Sequence, residues 1–170
     1  MPRTCTLKGK SFALEGPQLK VGDTAPDATL RKTLVDTMPL SRTKGKVRIF
    51  SVVPSLDTPV CAQQTKRFNE EAANLPDVDF YTISCDLPTA MARFCGVENV
   101  DPERIRVLSD YFDTSFGLAY GTLIRDLRVE CRAVFVLDSD GIIRHVEYVP
   151  EVADHPNYDS ALGCAKQLVG

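Results

Sequence analysis

Short apolar runs alternate with amphipathic segments through the middle and the end of the chain. The apolar runs are rich in β-branched residues, which is typical of buried strands, and they occupy residues 47–53, 80–84, 105–108 and 133–137. The segments that favour helices occupy residues 59–74, 89–95, 115–120 and 158–169. This order predicts an α/β fold in which a central mixed sheet carries helices on both faces.

Two further patterns predict antiparallel hairpins. Residues 4–7 and 11–14 flank the turn sequence Lys8-Gly9-Lys10, which indicates an N-terminal β-hairpin. The turn at 138–141 leads into an apolar run at 142–149, which should pair with the strand before it. Since there is no internal repeat, low-complexity tract or linker, we expect residues 1–170 to form one domain.

Composition narrows the class of protein. The 170 residues are 44% hydrophobic and 25% charged, as in soluble globular proteins. A net charge of -3 gives no electrostatic reason to expect a nucleic acid partner, and we interpret the basic stretch from Arg42 to Arg48 as a solvated loop leading into a strand. No apolar run approaches the roughly 20 residues of a membrane-spanning helix. The first ten residues are polar and lack a secretory signal. We therefore expect a cytoplasmic protein without a membrane partner.

The cysteines carry the candidate chemistry. No two of them form a C-x-x-C pair, which argues against a zinc ribbon and a thioredoxin-type dithiol. His145 and His155 are in no ligand spacing, so no metal site is expected. Most cysteines in such a chain are small buried hydrophobes, and the question is which one is reactive. The six are Cys5, Cys61, Cys85, Cys95, Cys131 and Cys164.

Cys61 stands at the start of a predicted helix. Thr58 precedes a proline, which disfavours helical geometry, and proline is favoured at the first helical position. The simplest register makes Thr58 the N-cap, Pro59 the first helical residue and Cys61 the third. Free backbone N–H groups and the helix dipole would then favour the thiolate, which is the reactive form. The alternative is core packing, because Cys61 shares a helical face with Phe68 and Ala72.

The stretch at 54–61 resembles the P-x-x-x-T-x-x-C signature of peroxiredoxins. Further motifs in sequence order are similar to one branch, the bacterial thiol peroxidases, which are atypical two-cysteine peroxiredoxins. These motifs lie at 21–26, 55–61, 86–88, 93–96, 116–121 and 132–136. The resemblance extends over nearly the whole chain. It implies a thioredoxin-like fold to which the N-terminal hairpin is an extension.

The resemblance also implies a role for each matching residue. Cys61 would be the peroxidatic cysteine and would become a sulfenic acid. Thr58 would hydrogen-bond the peroxide, and Pro54 would shield the sulfur from solvent. Arg132 would stabilise the thiolate and the charge on the leaving oxygen, and Cys95 would be the resolving cysteine. Without the resemblance, an arginine that opens a strand is more often a surface residue, and a cysteine near a helix end needs no special role.

The implied reaction converts hydrogen peroxide and organic hydroperoxides into water and alcohols. A Cys61–Cys95 disulfide would form within the chain and thioredoxin would reduce it, without any bound cofactor. Because the two cysteines belong to separate predicted helices, we expect local unwinding when they join. A homodimer is implied as well. Two alternatives stay open: a redox sensor that uses the same sulfenic chemistry, and a catalytically silent interaction module.

The remaining cysteines are interpreted as structural. Strand alternation would direct Cys131 and Arg132 to opposite faces, which favours packing for Cys131. Cys5, Cys85 and Cys164 have no motif of their own. Thr89 replaces the bulky residue that usually follows Asp-Leu-Pro in the family, so the substrate pocket is expected to differ in shape.

Overall fold

Strands and helices alternate through the middle of the chain, as the sequence predicts. The computed structural model describes residues 2–170. Within this range the helices are α1 (Pro59–Ala72), α2 (Pro88–Glu98), α3 (Ser115–Tyr120) and α4 (Tyr158–Val169), with a short 3₁₀ helix at Leu40–Thr43. The strands in chain order are β1 (Thr4–Leu7), β2 (Lys10–Glu15), β3 (Thr29–Arg31), β4 (Thr37–Pro39), β5 (Val47–Val52), β6 (Val78–Ser84), β7 (Ile105–Ser109), β8 (Leu123–Ile124), β9 (Val129–Glu130), β10 (Ala133–Leu137) and β11 (Ile143–Tyr148).

The main sheet is mixed, which confirms the predicted fold class. Its strand order is β11-β10-β5-β6-β7-β3-β4. Strands β5, β6 and β7 run parallel, whereas β10 is antiparallel to both β5 and β11. The parallel strands require helical crossovers, which α1 and α2 supply. The carboxyl end of β5 therefore leads directly into the loop that precedes Cys61.

Side chains of the central strands alternate between two apolar clusters, one on each face of the sheet. In β5, Ile49 belongs to the cluster that contains residues of α1, α2 and α4, and Phe50 belongs to the cluster that contains α3. In β10, Val134 and Phe135 divide in the same way. Because both faces are covered, these strands are apolar throughout rather than alternating. The predicted helices on both faces are confirmed.

The N-terminal hairpin is present and belongs to a second, smaller sheet. Strand β2 pairs with β8, and β8 pairs with β9, so the order is β1-β2-β8-β9. The sequence did not indicate β8 and β9, nor β3 and β4, because elements of two or three residues are too short to show an alternating pattern. Helix α2 is longer than predicted and ends where Asn99 adopts a left-handed conformation, with φ of 55°.

The interpretation of the basic stretch as solvated is wrong for its last residue. Arg42, Lys44 and Lys46 are exposed, whereas Arg48 lies in β5 and is 2% exposed. Its Nη1 donates to Oγ1 of Thr43 over 2.8 Å, and its aliphatic stem is covered by the protein. Among residues 2–170, no helix combines the length and the apolar composition that a membrane crossing requires.

Candidate active site

The loop after β5 places Cys61 in the first turn of α1. Thr58 has an extended backbone, Pro59 is the first helical residue and Cys61 is the third, as the sequence predicts. The Thr58 side chain, however, makes no capping hydrogen bond. Its hydroxyl donates to the carbonyl of Ser55 over 3.2 Å, and the residue is exposed. The N–H groups of the first turn therefore have no side-chain partner at Thr58.

Arg132 donates directly to the sulfur of Cys61. The distance from Nη2 to Sγ is 3.2 Å, and both residues are buried. Arg132 lies between β9 and β10 and is 2% exposed, so the alternative of a surface arginine at a strand opening does not apply. A guanidinium carries a permanent positive charge, so the Cys61 sulfur lies in direct contact with a cation. The positive end of the α1 dipole lies at the same turn.

Two further contacts fix the orientation of the guanidinium. Arg132 Nη1 donates to Oε1 of Gln64 over 2.8 Å, and Nε donates to the carbonyl of Val152 over 2.9 Å. Gln64 is held in turn, because its Nε2 donates to Oγ of Ser51 over 2.7 Å. Gln64 was not predicted from the sequence, although it lies three residues after Cys61 and hence on the same side of α1. The Val152 carbonyl has no signal in the sequence.

The carboxylate of Asp86 holds the loop between β5 and α1 in place by hydrogen bonds. It accepts hydrogen bonds from Oγ of Ser55 and from the backbone N–H of Leu56, both over 2.8 Å. It also accepts from Oγ of Ser84 over 2.6 Å. Since Asp86 lies two residues before Pro88, this carboxylate joins the loop before α1 to the start of α2. Asp86 therefore connects the N-terminal ends of α1 and α2, the helices that contain Cys61 and Cys95.

A cavity of about 320 Å³ adjoins the site. Pro54, Thr58 and Arg132 line it, so three of the residues singled out in the sequence lie on one cavity. Most of the other walls are apolar, and they come from α1, from the β8–β9 segment, from the N-terminal hairpin and from residues 152–153. Cys61 is buried and does not line the cavity itself, but it contacts Arg132, which does. The arrangement suits a small polar group bound next to apolar substituents.

Cys95 lies in the last turn of α2 and borders a different cavity, of about 410 Å³. Its sulfur is not bonded to Cys61, and all six cysteines within residues 2–170 are free. Burial raises the pKa of the Cys95 thiol above its ordinary value of 9.0. Cys95 therefore carries its proton near neutral pH.

The other cysteines are held as neutral thiols. Burial raises the pKa of Cys5, Cys85, Cys131 and Cys164. Cys131 belongs to the apolar cluster on the face of α3, away from Cys61, which agrees with a packing role. The expectation that Cys131 and Arg132 point to opposite faces is therefore confirmed.

One group of side chains outside the site has the donor types that metals bind. Ligand atoms of Cys85, Asp110 and Glu130 lie within 4.8 Å of one another. Glu130 accepts from the hydroxyl of Thr122 and from the Cys85 thiol, while Asp110 accepts from two N–H groups of α3. Burial, then the neighbouring Asp110, raises the pKa of Glu130 well above 4.5. A carboxyl pair that retains a proton accounts for this group without a metal.

Comparison with known proteins identifies the family. Residues 20–162 match the Redoxin family. The chain belongs to that family. The thiol peroxidase of Bacillus subtilis (strain 168) is 51% identical over 164 residues, which cover 96% of this chain and 97% of that protein. A crystal structure of a peroxiredoxin-like protein from Aquifex aeolicus is 40% identical, with a TM-score of 0.90 over 99% of this chain and 98% of that one.

The fold is shared more widely than the sequence. Thiol peroxidase from Chromobacterium violaceum is 17% identical, yet its structure matches with a TM-score of 0.84 over 96% of this chain and 95% of that one. The identification as a peroxiredoxin of the thiol peroxidase branch is confirmed, and with it the thioredoxin-like fold. As a peroxiredoxin, the protein is an oxidoreductase.

Proposed function

We propose that this peroxiredoxin reduces hydrogen peroxide and organic hydroperoxides through a sulfenic acid on Cys61. The observation that carries the proposal is the 3.2 Å hydrogen bond from Arg132 Nη2 to the Cys61 sulfur, at the wall of a cavity that Thr58 also lines. The contact supplies the positive charge that a nucleophilic thiolate requires. It also supplies a donor positioned for the oxygen atoms of a peroxide.

In the first step the Cys61 thiolate attacks the terminal oxygen of the hydroperoxide. A sulfur–oxygen bond forms and the oxygen–oxygen bond breaks, so sulfur is oxidised and the peroxide is reduced. The leaving alkoxide or hydroxide takes a proton and departs as alcohol or water. The guanidinium of Arg132 stabilises the charge on that oxygen, and the exposed hydroxyl of Thr58 orients the peroxide. Pro54 limits access of water to the sulfur.

In the second step the Cys95 sulfur attacks the sulfenic sulfur of Cys61. A disulfide forms and water leaves. A disulfide needs Cα atoms within about 7 Å, and each sulfur is held in a different helix, so the proposal includes local unwinding. The last turn of α2 suits this change, because it contains Gly96 and an exposed Val97.

Thioredoxin is the proposed reductant. A reduced dithiol exchanges with the Cys61–Cys95 disulfide and restores both thiols, so the cycle needs no bound cofactor. The apolar walls of the cavity favour organic hydroperoxides over hydrogen peroxide, because they bury alkyl groups. A cytoplasmic location and a homodimer complete the proposal. A monomer in sedimentation of the reduced protein at micromolar concentration would remove the dimer.

The test is multiple-turnover reduction of cumene hydroperoxide with thioredoxin, thioredoxin reductase and NADPH. Wild-type protein should turn over many times, whereas a redox sensor needs few cycles. Cys95→Ser should lose thioredoxin-dependent turnover, and the matched variant Cys164→Ser should keep it. Unchanged turnover in Cys95→Ser contradicts the proposed resolving role.

A further inference from the structure

The side chain of Glu151 connects the tip of the N-terminal hairpin to residues 152–153, which line the 320 Å³ cavity beside Cys61. We call this cavity the peroxide cavity. Oε2 of Glu151 accepts from Oγ1 of Thr6 over 2.7 Å and from the N–H of Gly9 over 3.2 Å. Its Oε1 accepts from the N–H of Lys8 over 2.9 Å and from that of Ala153 over 3.1 Å. One carboxylate thus receives four hydrogen bonds, three from the hairpin and one from Ala153.

The hairpin tip is shaped to receive this carboxylate. Lys8 and Gly9 have positive φ angles of 51° and 79°, which is the backbone of a tight two-residue hairpin turn. Successive N–H groups in such turns converge and form an anion-binding concavity. A left-handed conformation is unfavourable for Lys8, and the bond from its N–H to Glu151 offsets part of that cost. These hydrogen bonds hold the carboxylate charged, with its pKa lowered to about 2.

The residues that Glu151 fastens are walls of the cavity. Leu7 and Lys8 line it from the hairpin, and Val152 and Ala153 line it from the other side. Backbone bonds close the same junction, since Val152 N–H donates to the Thr6 carbonyl over 2.7 Å. The hairpin, expected from the sequence to be only an extension of the fold, therefore contributes a wall to the site.

We propose that Glu151 is a positioning residue that holds the hairpin as a wall of the peroxide cavity and so sets selectivity for organic hydroperoxides. The inference rests on the proposed peroxidase function of Cys61. An organic hydroperoxide places its alkyl group against Leu7 and the neighbouring apolar walls. Hydrogen peroxide has no such group and depends only on the polar contacts at Thr58, Cys61 and Arg132.

Comparing an organic hydroperoxide with hydrogen peroxide distinguishes this positioning role of Glu151 from a general contribution to stability. The Val152 carbonyl also accepts from Arg132, so damage to the whole segment lowers activity with both peroxides. Loss of the hairpin wall alone raises KM for an organic hydroperoxide and leaves hydrogen peroxide unaffected. Because the carboxylate stays charged across the assay range, the substrate ratio of the wild-type protein should not change between about pH 5 and about pH 8.

The experiment compares cumene hydroperoxide with hydrogen peroxide in Glu151→Ala, Glu151→Gln and wild-type protein. Glu151→Ala should raise KM for cumene hydroperoxide at least about fivefold, while kcat/KM for hydrogen peroxide stays within about twofold. Glu151→Gln keeps one acceptor oxygen and should be intermediate. Glu147→Gln is the matched control, since Glu147 accepts from the N–H of Asn157 over 2.8 Å and does not line the cavity.

Amide hydrogen exchange tests the attachment without any turnover. Exchange at Lys8 and Gly9 should become faster in Glu151→Ala than in wild type, and exchange in β5 should not change. An unchanged KM for cumene hydroperoxide, or an equal loss of activity with both peroxides, overturns the inference. If the wild-type protein reduces neither peroxide, the proposed function is wrong. In that case hydrogen exchange still tests the inference, because unchanged exchange at Lys8 and Gly9 would show that Glu151 does not hold the hairpin.

Discussion

Arg132 donates from Nη2 to the sulfur of Cys61 over 3.2 Å, although the two residues are 71 positions apart in the chain. The two other nitrogens of the guanidinium are also engaged, by Gln64 and by the Val152 carbonyl. All three contacts are buried, so the charge has a fixed direction and little competition from water. The start of α1 supplies the sulfur, and the residue immediately before β10 supplies its cation.

Replacing Arg132 should slow oxidation of Cys61 more than any change of equal size elsewhere in the cavity. Arg132→Met removes the donor to sulfur and to the leaving oxygen, and we expect a loss of about 10²–10³-fold in the single-turnover rate. Arg132→Lys keeps a charge but lacks the planar guanidinium whose three nitrogens reach three separate acceptors, so it should retain only part of the rate. Rapid quench with thiol alkylation measures the rate, because the chain has no tryptophan to report it. Equal rates in Arg132→Met and wild type would exclude the assigned role.

Gln64 should matter through Arg132 rather than through the substrate. Gln64→Leu removes the acceptor of Nη1 and leaves a buried donor unpaired, and we expect a rate of Cys61 oxidation about tenfold lower. Gln64→Glu keeps an acceptor oxygen and should restore most of that rate. The same quench experiment compares the two variants. A Gln64→Leu protein as fast as wild type would show that Arg132 is oriented without Gln64.

The carboxyl pair of Glu130 and Asp110 should make stability depend on pH. Burial raises the pKa of both groups in the folded state, to a value well above 4.5 for Glu130. Their contribution is therefore complete below the unfolded pKa and is lost as pH rises, by about 1.4 kcal/mol per pH unit for one retained proton. Glu130→Gln removes that loss, so its melting temperature relative to wild type should increase between about pH 5 and about pH 8.

Glu103→Gln is the control for this measurement, because Glu103 is exposed. Its melting temperature should follow that of wild type at every pH. Parallel pH profiles for Glu130→Gln and wild type would mean that the pair does not retain a proton in the folded protein.

Closure of the disulfide should accelerate with pH. The attacking species is a thiolate, and burial holds the pKa of Cys95 above its ordinary value of 9.0. In protein whose Cys61 is already a sulfenic acid, the rate should therefore keep rising as pH increases to about 9 and beyond. Mass spectrometry of alkylated samples follows the reaction. A rate that becomes constant below about pH 8 would contradict a Cys95 thiol that burial keeps protonated in the folded protein until the end of α2 unwinds.

The sequence was most informative where a local signal decides the structure. Thr58 followed by Pro59 fixes a helix start by short-range sterics alone, and the register of Cys61 follows from it. The continuous apolar runs of β5 and β10 likewise indicate strands that are buried on both faces. Strands β3, β4, β8 and β9 were not predicted, because two or three residues are too few to show the alternation of apolar and polar positions.

Contacts between residues that are far apart in the sequence were harder to predict. Nothing in the spacing of Arg132 and Cys61 indicates that they touch, and only the resemblance to peroxiredoxins suggested it. Arg48 was assigned to solvent from its charged neighbours, but its place in β5 buries it. The role of the Glu151 carboxylate has no local signal, because three of its four hydrogen-bond donors belong to a hairpin at the opposite end of the sequence.

The most direct test of the account treats reduced protein with one equivalent of cumene hydroperoxide and maps disulfides by non-reducing peptide mass spectrometry. The account predicts one dominant link, between Cys61 and Cys95, and free thiols at the other four cysteines. Sulfenic or sulfinic acid at Cys61 without that link would remove Cys95 as the resolving residue. An unmodified Cys61 would contradict the central claim.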